Sequence, residues 1–256
     1  MVIYQCKDSF DSILCGVYDA WMSRLGHANV RLELEDTGNI EMFAEYRTVE
    51  DSPGKRDKVI AAIRQKIGTE VYQQIYQASL SRDEKKADKI YRYLISGFHY
   101  GARVVDMLQL PEVYDIFQIC RFVGNETHLL IEFARFAETE GGLLVCRVGP
   151  KNDVIVLMAP HFADRLSGEN WIIYDEKRQK AVLHPAGGRW MVVQTGDDHW
   201  RERLEQATDE AVYAGLWKAF HRGIAIKERT NPVCQRNHLP LRYRPYMTEF
   251  DRGEGG

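Results

Sequence analysis

A change of pattern at Gly141-Gly142 constrains the fold of this chain more than any other feature. Before it, from Pro53 to Thr139, apolar residues recur every three or four positions, which predicts successive amphipathic helices. After it, short apolar runs separated by turn residues predict β-strands. Because the helices and strands are largely segregated along the chain, we predict an α+β protein in which a helical bundle packs on a small, mainly antiparallel β-sheet.

The predicted elements follow from this pattern and from the turn residues between them. The helices of the first region are expected at 57–68, 70–79, 82–100, 111–121 and 125–139. A strand is expected at 143–148, and three antiparallel strands at 171–175, 180–184 and 190–194. Near the N-terminus, a strand at 2–5 precedes a helix at 10–25 capped by Asp8 or Ser9. Further helices are expected within 154–166, mainly after Leu157, and at 197–221.

The length of 256 residues suffices for one large hydrophobic core. We therefore expect a single domain over residues 1–250. Its parts are a helix-rich region (1–140), a β-containing region (141–195), and a helix with an extended basic arm (196–250). Residues 251–256 are expected to form a frayed tail.

Composition favours a soluble, cytoplasmic protein. The N-terminus lacks the basic and apolar segments of a signal peptide, and no apolar run approaches the roughly 18 residues of a membrane span. The five cysteines are scattered without a CxxC pair, which favours free thiols. We therefore expect this chain itself to hold no metal, iron–sulfur cluster or other cofactor. The common nucleotide-binding and hydrolase motifs are also absent.

Two segments contain residue types suited to acid–base or phosphate chemistry. Glu126 and His128 begin a predicted helix on which His128, Glu132 and Arg135 share one face. This spacing fits either a metal or acid–base site or a solvated face with ion pairs within the helix. In the second segment, His161, Asp164 and Arg165 lie within one helical turn and fit either phosphate binding or a capped helix start.

Asp175 ends a predicted strand three residues before Arg178. The favoured interpretation is that Asp175 forms the turn or pairs with Arg178, and a catalytic carboxylate is the alternative.

Positive charge collects in the C-terminal arm. From Lys218 to Arg252 there are eight Lys and Arg residues and three Asp and Glu residues, although the net charge of the chain is −3. Tyrosines alternate with arginines in this arm, a pattern typical of surfaces that contact phosphates and stack bases. Internal pairing of these arginines with acidic residues fits the composition equally well. The candidate nucleic-acid contacts of the arm are Arg229, Asn231, Gln235, Arg236, Arg242, Tyr243 and Arg244. Arg135, Arg165 and Arg178 complete the candidate set.

Taken together, five segments resemble the DUF4130 family, in the family's order and over almost the whole chain. They begin at Tyr4, Val123, Ala159, Trp171 and Leu216. The resemblance implies a role in DNA metabolism and association with a radical-SAM protein that modifies or repairs DNA. That partner would carry the iron–sulfur cluster and S-adenosylmethionine. Some family members are fused to a domain like uracil-DNA glycosylase. One departure from the family pattern is Leu129, where an arginine often follows the histidine.

Two functional hypotheses follow. In the first, the protein is a DNA-binding accessory of the radical-SAM enzyme, and the basic arm holds DNA together with His161 and Arg165. In the second, it is an enzyme acting on a damaged base or on the sugar-phosphate of DNA. The second hypothesis requires Glu126, His128, His161, Asp164 and Asp175 to converge in one pocket, since acid–base catalysis needs groups within hydrogen-bonding reach of the substrate. A structural subunit without DNA contact is a third option.

Overall fold

The structure, a computed structural model, describes residues 1–35, 41–138 and 142–194, together with Tyr243 and Tyr246. Contacts within the chain define two compact units, residues 1–124 and 125–256, which subdivide the predicted domain. The predicted helix at 197–221, the predicted tail at 251–256 and most of the basic arm lie outside the described residues.

The first unit combines a three-stranded sheet with helices. Its strands are β1 (Val2–Cys6), β2 (Val30–Leu34) and β3 (Glu45–Thr48). Its helices are α1 (Phe10–Met22), α2 (Pro53–Lys66), α3 (Thr69–Ser79), α4 (Lys86–Tyr100) and the first part of α5 (Pro111–Phe133). Short 3-10 helices occupy His27–Asn29 and Gly101–Asp106.

The sheet of the first unit is parallel, with β1 between β2 and β3. Val30, Leu32 and Leu34 of β2 are buried and the intervening residues are partly exposed, which is the alternation of a strand with one buried face. β3 was not predicted. None of its residues is fully buried, so its sequence shows no apolar alternation.

Helix α1 packs against this sheet through a close contact. Its N-cap is Ser9, as expected, because Ser9 Oγ accepts a hydrogen bond of 3.2 Å from Ser12 N. A Cβ at Gly16 would overlap Cys6 Sγ and lie 3.3 Å from the Leu32 side chain. The missing side chain at Gly16 therefore lets the helix approach the strands.

The prediction of separate helices at 111–121 and 125–139 is wrong, because α5 runs without interruption from Pro111 to Phe133. Gly124, which suggests a break in the sequence, has a packing role in the structure. A Cβ there would lie 3.2 Å from Gln77 Nε2, and the same nitrogen donates to Cys120 O at 3.0 Å. The glycine therefore makes room for a side chain of α3.

The second unit contains the end of α5, helix α6 (Ile155–Arg165) and a five-stranded sheet. The strands, in spatial order, are β4 (Ala137–Glu138), β5 (Leu144–Val148), β6 (Trp171–Asp175), β7 (Lys180–His184) and β8 (Met191–Gln194). The last three strands are antiparallel neighbours, as predicted. β5 and β6 are parallel, so the sheet is mixed.

The structure confirms the predicted α+β class. The parallel β5–β6 pair was not predicted, although both strands were, because register and direction depend on the crossover through α6. Within the described residues, every helix is too short or too polar to cross a membrane.

Candidate functional site

The candidate site lies where parallel strands β5 and β6 end. Val148 and Asp175 are paired at the carboxyl edge of these strands. Two loops leave this edge: residues 149–154 lead into α6, and residues 176–179 turn into β7. Ligands of α/β sheets commonly bind outside the carboxyl ends of parallel strands. We call residues 149–154 and 176–179 the edge loops.

Glu126, on α5, fixes the first edge loop in place through hydrogen bonds. Its side chain is only 3% exposed. The carboxylate accepts hydrogen bonds from Lys151 N at 3.0 Å, from Asn152 N at 2.8 Å and from Asn152 Nδ2 at 2.6 Å. A fourth donor is Tyr243 Oη at 3.0 Å. These four donors match the four lone-pair sites of a carboxylate, so Glu126 organises the loop and has no open side for a substrate.

Asp175 and Arg178 hold the second edge loop and tie it to the first. Asp175 Oδ1 accepts from Lys177 N and Arg178 N, and Asp175 Oδ2 pairs with Arg178 Nη1 at 3.0 Å. The Arg178 guanidinium also donates to Pro150 O at 3.3 Å and to Lys151 O at 2.5 Å. The expected turn and pairing of Asp175 are therefore confirmed.

Burial is the main influence on Asp175, and it raises the pKa of the carboxyl group above its ordinary value. The guanidinium and backbone donors act against this rise. Arg178 was predicted to contact phosphate, but its guanidinium donates hydrogen bonds to Asp175, Pro150 and Lys151 within the protein.

Two tyrosines of the predicted arm are described, and both contact the edge-loop region. Tyr243 is 1% exposed and bonds to Glu126. This burial corrects the expectation that its ring stacks on a base, since no ring face is open. A Cβ at Gly149 would overlap the Tyr246 ring. Burial, and then the neighbouring Glu176 carboxylate, raise the pKa of Tyr246.

The edge loops present cationic side chains to solvent. Lys151 and Lys177 are exposed, and neither forms an ion pair with a carboxylate in the described part of the chain. Arg178 joins the backbones from which they project. Sequence reasoning missed both lysines. An isolated lysine in a turn does not predict a binding site from the sequence, because only the fold shows which loops lie side by side.

The predicted residues of α5 do not converge with Glu126. His128 lies on the outside of the helix with its side chain 75% exposed, and His128 Nε2 pairs with Glu132 Oε1 at 3.1 Å. This is the solvated side-chain pair that the i, i+4 spacing allows. Arg135 Nη1 donates to Glu132 O and Ala134 O at the end of the helix. Cations in this position stabilise helix C-termini, so Arg135 has a structural role here.

His161, Asp164 and Arg165 are exposed on α6. The helix begins at Ile155, earlier than expected, and includes Pro160. Since α6 leads from the end of β5 back to the start of β6, its C-terminal Arg165 lies about 15 Å along the helix from the edge-loop end. Arg165 therefore lies at the opposite end of α6 from the edge loops. Glu126 is enclosed by its donors, so it is not available to the predicted pocket. The convergence of His128 with His161 and Asp164, which are all exposed, stays a prediction.

The remaining predicted arm contacts lie outside the described residues. They are Arg229, Asn231, Gln235, Arg236, Arg242 and Arg244.

A cavity of about 920 Å³ lies in the first unit, between β2 and α4. Six acidic and four basic side chains line it. The basic groups are largely neutralised: Arg31 pairs with Glu33 and Glu41, and Arg92 pairs with Asp88. The acidic excess makes this cavity unsuited to a nucleic-acid phosphate.

Within the described residues, no cluster of His, Cys, Asp and Glu is arranged to hold a metal ion. Burial raises the pKa values of Cys6, Cys120 and Cys146 to about 12. These thiols are therefore protonated at neutral pH and are poor nucleophiles or ligands.

A family model described as a domain of unknown function, DUF4130, matches residues 84–249, more than half of the chain. The chain belongs to the DUF4130 family. A comparison with curated proteins found no match. The DUF4130 match begins within the first unit, just before α4, and includes α5, α6 and the whole five-stranded sheet. Both edge loops of this DUF4130 protein therefore lie inside the family region.

Proposed function

We propose that this DUF4130 protein binds the phosphate backbone of DNA through its second unit, as an accessory of a radical-SAM enzyme that repairs or modifies DNA. The observation that supports the proposal is the pair of exposed lysines, Lys151 and Lys177, on edge loops tied together by Arg178. Lysine and arginine side chains supply most of the sequence-independent affinity of proteins for DNA.

The local electrostatics favour an anion at this place. Both carboxylates beneath the loops are already occupied: Glu126 by four donors, and Asp175 by Arg178 and two backbone amides. The N-terminus of α6 follows the first edge loop and adds the positive end of its helix dipole. The predicted arginines of the arm would extend this surface, and the radical-SAM association rests on the family resemblance.

Fluorescence anisotropy with a labelled DNA duplex tests the proposal. The double variant Lys151→Gln/Lys177→Gln should bind more weakly than the unmodified protein. Its plot of log affinity against log salt should be shallower by about two, since each phosphate contact contributes a slope of roughly −0.9. The matched control is Lys58→Gln/Lys66→Gln, which removes two exposed lysines from α2 and should leave both quantities unchanged. Absent or salt-independent binding by the unmodified protein would refute the proposal.

The partnership is tested separately by copurification. The radical-SAM protein and this chain should elute together, and the complex should retain or gain DNA affinity. Separate elution at micromolar concentrations would remove the accessory role and leave the DNA contact to be judged by the anisotropy experiment.

A further inference from the structure

Helix α5 exposes an aromatic face within the first unit. Tyr114 and Phe117 are 50% and 44% exposed. Their ring centroids are 6.5 Å apart, with ring planes inclined at 33°. Arg121 lies on the same side of the helix, four residues beyond Phe117, is exposed, and forms no ion pair with a described carboxylate. We call Tyr114, Phe117 and Arg121 the aromatic face.

These rings are not needed for the core. The opposite side of α5 is aliphatic: Val113, Ile116, Ile119 and Val123 are buried. Aromatic side chains gain most by burial, so a helix that buries aliphatic residues and exposes aromatic ones reverses the usual distribution. The exposed ring pair beside an exposed arginine is the kind of surface to which a ligand or partner binds.

We propose that the aromatic face is a stacking platform for unpaired bases of single-stranded DNA, an inference that rests on the proposed DNA-binding function. Rings stack on bases of any sequence, and a neighbouring cation contacts the phosphate between them. Tyr114 and Phe117 supply adjacent ring faces, and Arg121 supplies the cation.

Charge and shape favour this occupant over two others. In a symmetric dimer the same patch of both copies would meet, and this patch contains Arg121 but no carboxylate to pair with it, whereas a phosphate supplies the negative charge. A DNA duplex keeps its base faces stacked inside the helix, so the rings have nothing to stack on. Unpaired bases expose both their faces and the phosphates beside them.

The experiment compares single-stranded with duplex DNA. The single-stranded probe is an oligodeoxythymidylate of about 12 nucleotides, within the range that single-strand-binding folds occupy. The double variant Tyr114→Leu/Phe117→Leu keeps apolar surface at both positions and removes the two neighbouring rings. Its affinity for the single strand should fall about five-fold or more, because base–ring stacking is worth at least 1 kcal/mol per base. Its affinity for the duplex should not change.

The control variant is Phe43→Leu, which removes an exposed ring outside α5 and should bind both DNAs as the unmodified protein does. Size-exclusion chromatography with light scattering is run on each protein. The inference is overturned by undiminished single-strand binding of the double variant, by an equal loss for both DNAs, or by a change from dimer to monomer. Duplex binding that depends on Lys151 and Lys177 would still support the proposed function in each case. If the unmodified protein binds neither DNA, both proposals fail.

Discussion

Glu126 shows how one side chain sets the geometry of the candidate site. An ionised carboxylate is costly to bury unless donors replace its water. Here, two backbone amides, one side-chain amide and one phenol do so. The donors come from positions 25, 26 and 117 residues away. Sequence reasoning identified Glu126 as a polar residue of interest. It could not find this role, because the partners are adjacent only after folding.

Replacing Glu126 with glutamine should destabilise the protein. One carboxylate oxygen becomes an amide nitrogen that faces donors, so at least one of the four hydrogen bonds is lost and the remaining bonds lose their charge assistance. We expect the free energy of unfolding to fall by about 2–3 kcal/mol. Urea denaturation followed by circular dichroism measures it. Glu132→Gln, which removes only the exposed pair with His128, should change the value by less than about 0.5 kcal/mol.

Asp175 gives a prediction for acid pH. Its folded-state pKa is raised, so the folded protein holds this proton to higher pH than the unfolded chain does. The group therefore favours folding below its ordinary pKa of 3.8, and this contribution is lost as pH rises through the folded value. The difference in unfolding free energy between the unmodified protein and Asp175→Asn should fall as pH rises above about 3.8. A raised pKa lowers it by roughly 1.4 kcal/mol per unit.

Denaturation curves at closely spaced pH values provide this difference, and the other carboxylates cancel because both proteins contain them. A difference that instead grows with pH would show that the Arg178 pair outweighs burial. The pairing of Asp175 with Arg178 was predictable because both residues lie in one tight turn. The bonds from Arg178 to Pro150 and Lys151 were not predictable, since they join separate loops.

Among the elements, α1 depends on a glycine for its distance from the sheet. Gly16→Ala should destabilise the first unit by about 1–3 kcal/mol, because the new methyl group meets Cys6 Sγ in a fully buried position. Thermal unfolding measures the loss. Gly54→Ala is the matched control, since its nearest neighbour would be Ser52 Oγ at 3.7 Å. Alanine there should be neutral or slightly stabilising.

A second variant connects the loss to this contact. Cys6→Ala removes the sulfur atom, so the double variant Gly16→Ala/Cys6→Ala should lose less stability than the sum of the two single changes. Strict additivity would show that the glycine matters for another reason.

Helix and strand positions were predictable wherever the apolar residues of a segment follow the spacing of a helix or a strand. β6 and β7 were predicted at their observed bounds, and the strand at 2–5 falls within β1. The errors occurred where the role of a residue depends on a contact with a residue far away in the sequence. Gly124 suggests a helix end by its type, yet it accommodates Gln77 from α3. The edge strand β3 has no fully buried residue, so its sequence lacks the alternation of apolar and polar residues that would predict a strand.

At the scale of the whole chain, the family region and the compact units have different boundaries. The match begins at residue 84, whereas the first unit extends to Gly124. Helix α4 is inside the match, but it contacts β2 and α3, which are outside it. The α+β class was predictable from the order of patterns along the chain. The division at Gly124 was not, because it falls inside a continuous helix.

A fragment of residues 84–256 should therefore not reproduce the stability of the full chain. Removing β1 to α3 exposes Ile90, Tyr91 and Leu94 of α4, all of which are fully buried. We expect the fragment to aggregate or to bind a hydrophobic dye, and to unfold less cooperatively than the full chain. A fragment as cooperative as the full chain in calorimetry would show that the family region folds alone.

The carboxylate of Glu126 has a consequence for any anion arriving from outside. The backbone amides of Lys151 and Asn152 in the first edge loop already donate to this carboxylate. In the proposed function, a DNA phosphate would therefore contact the ammonium groups of Lys151 and Lys177 and not the amides of Lys151 and Asn152. Contacts with flexible lysine side chains depend little on the exact position of each phosphate, so we expect this surface to bind DNA with little sequence preference.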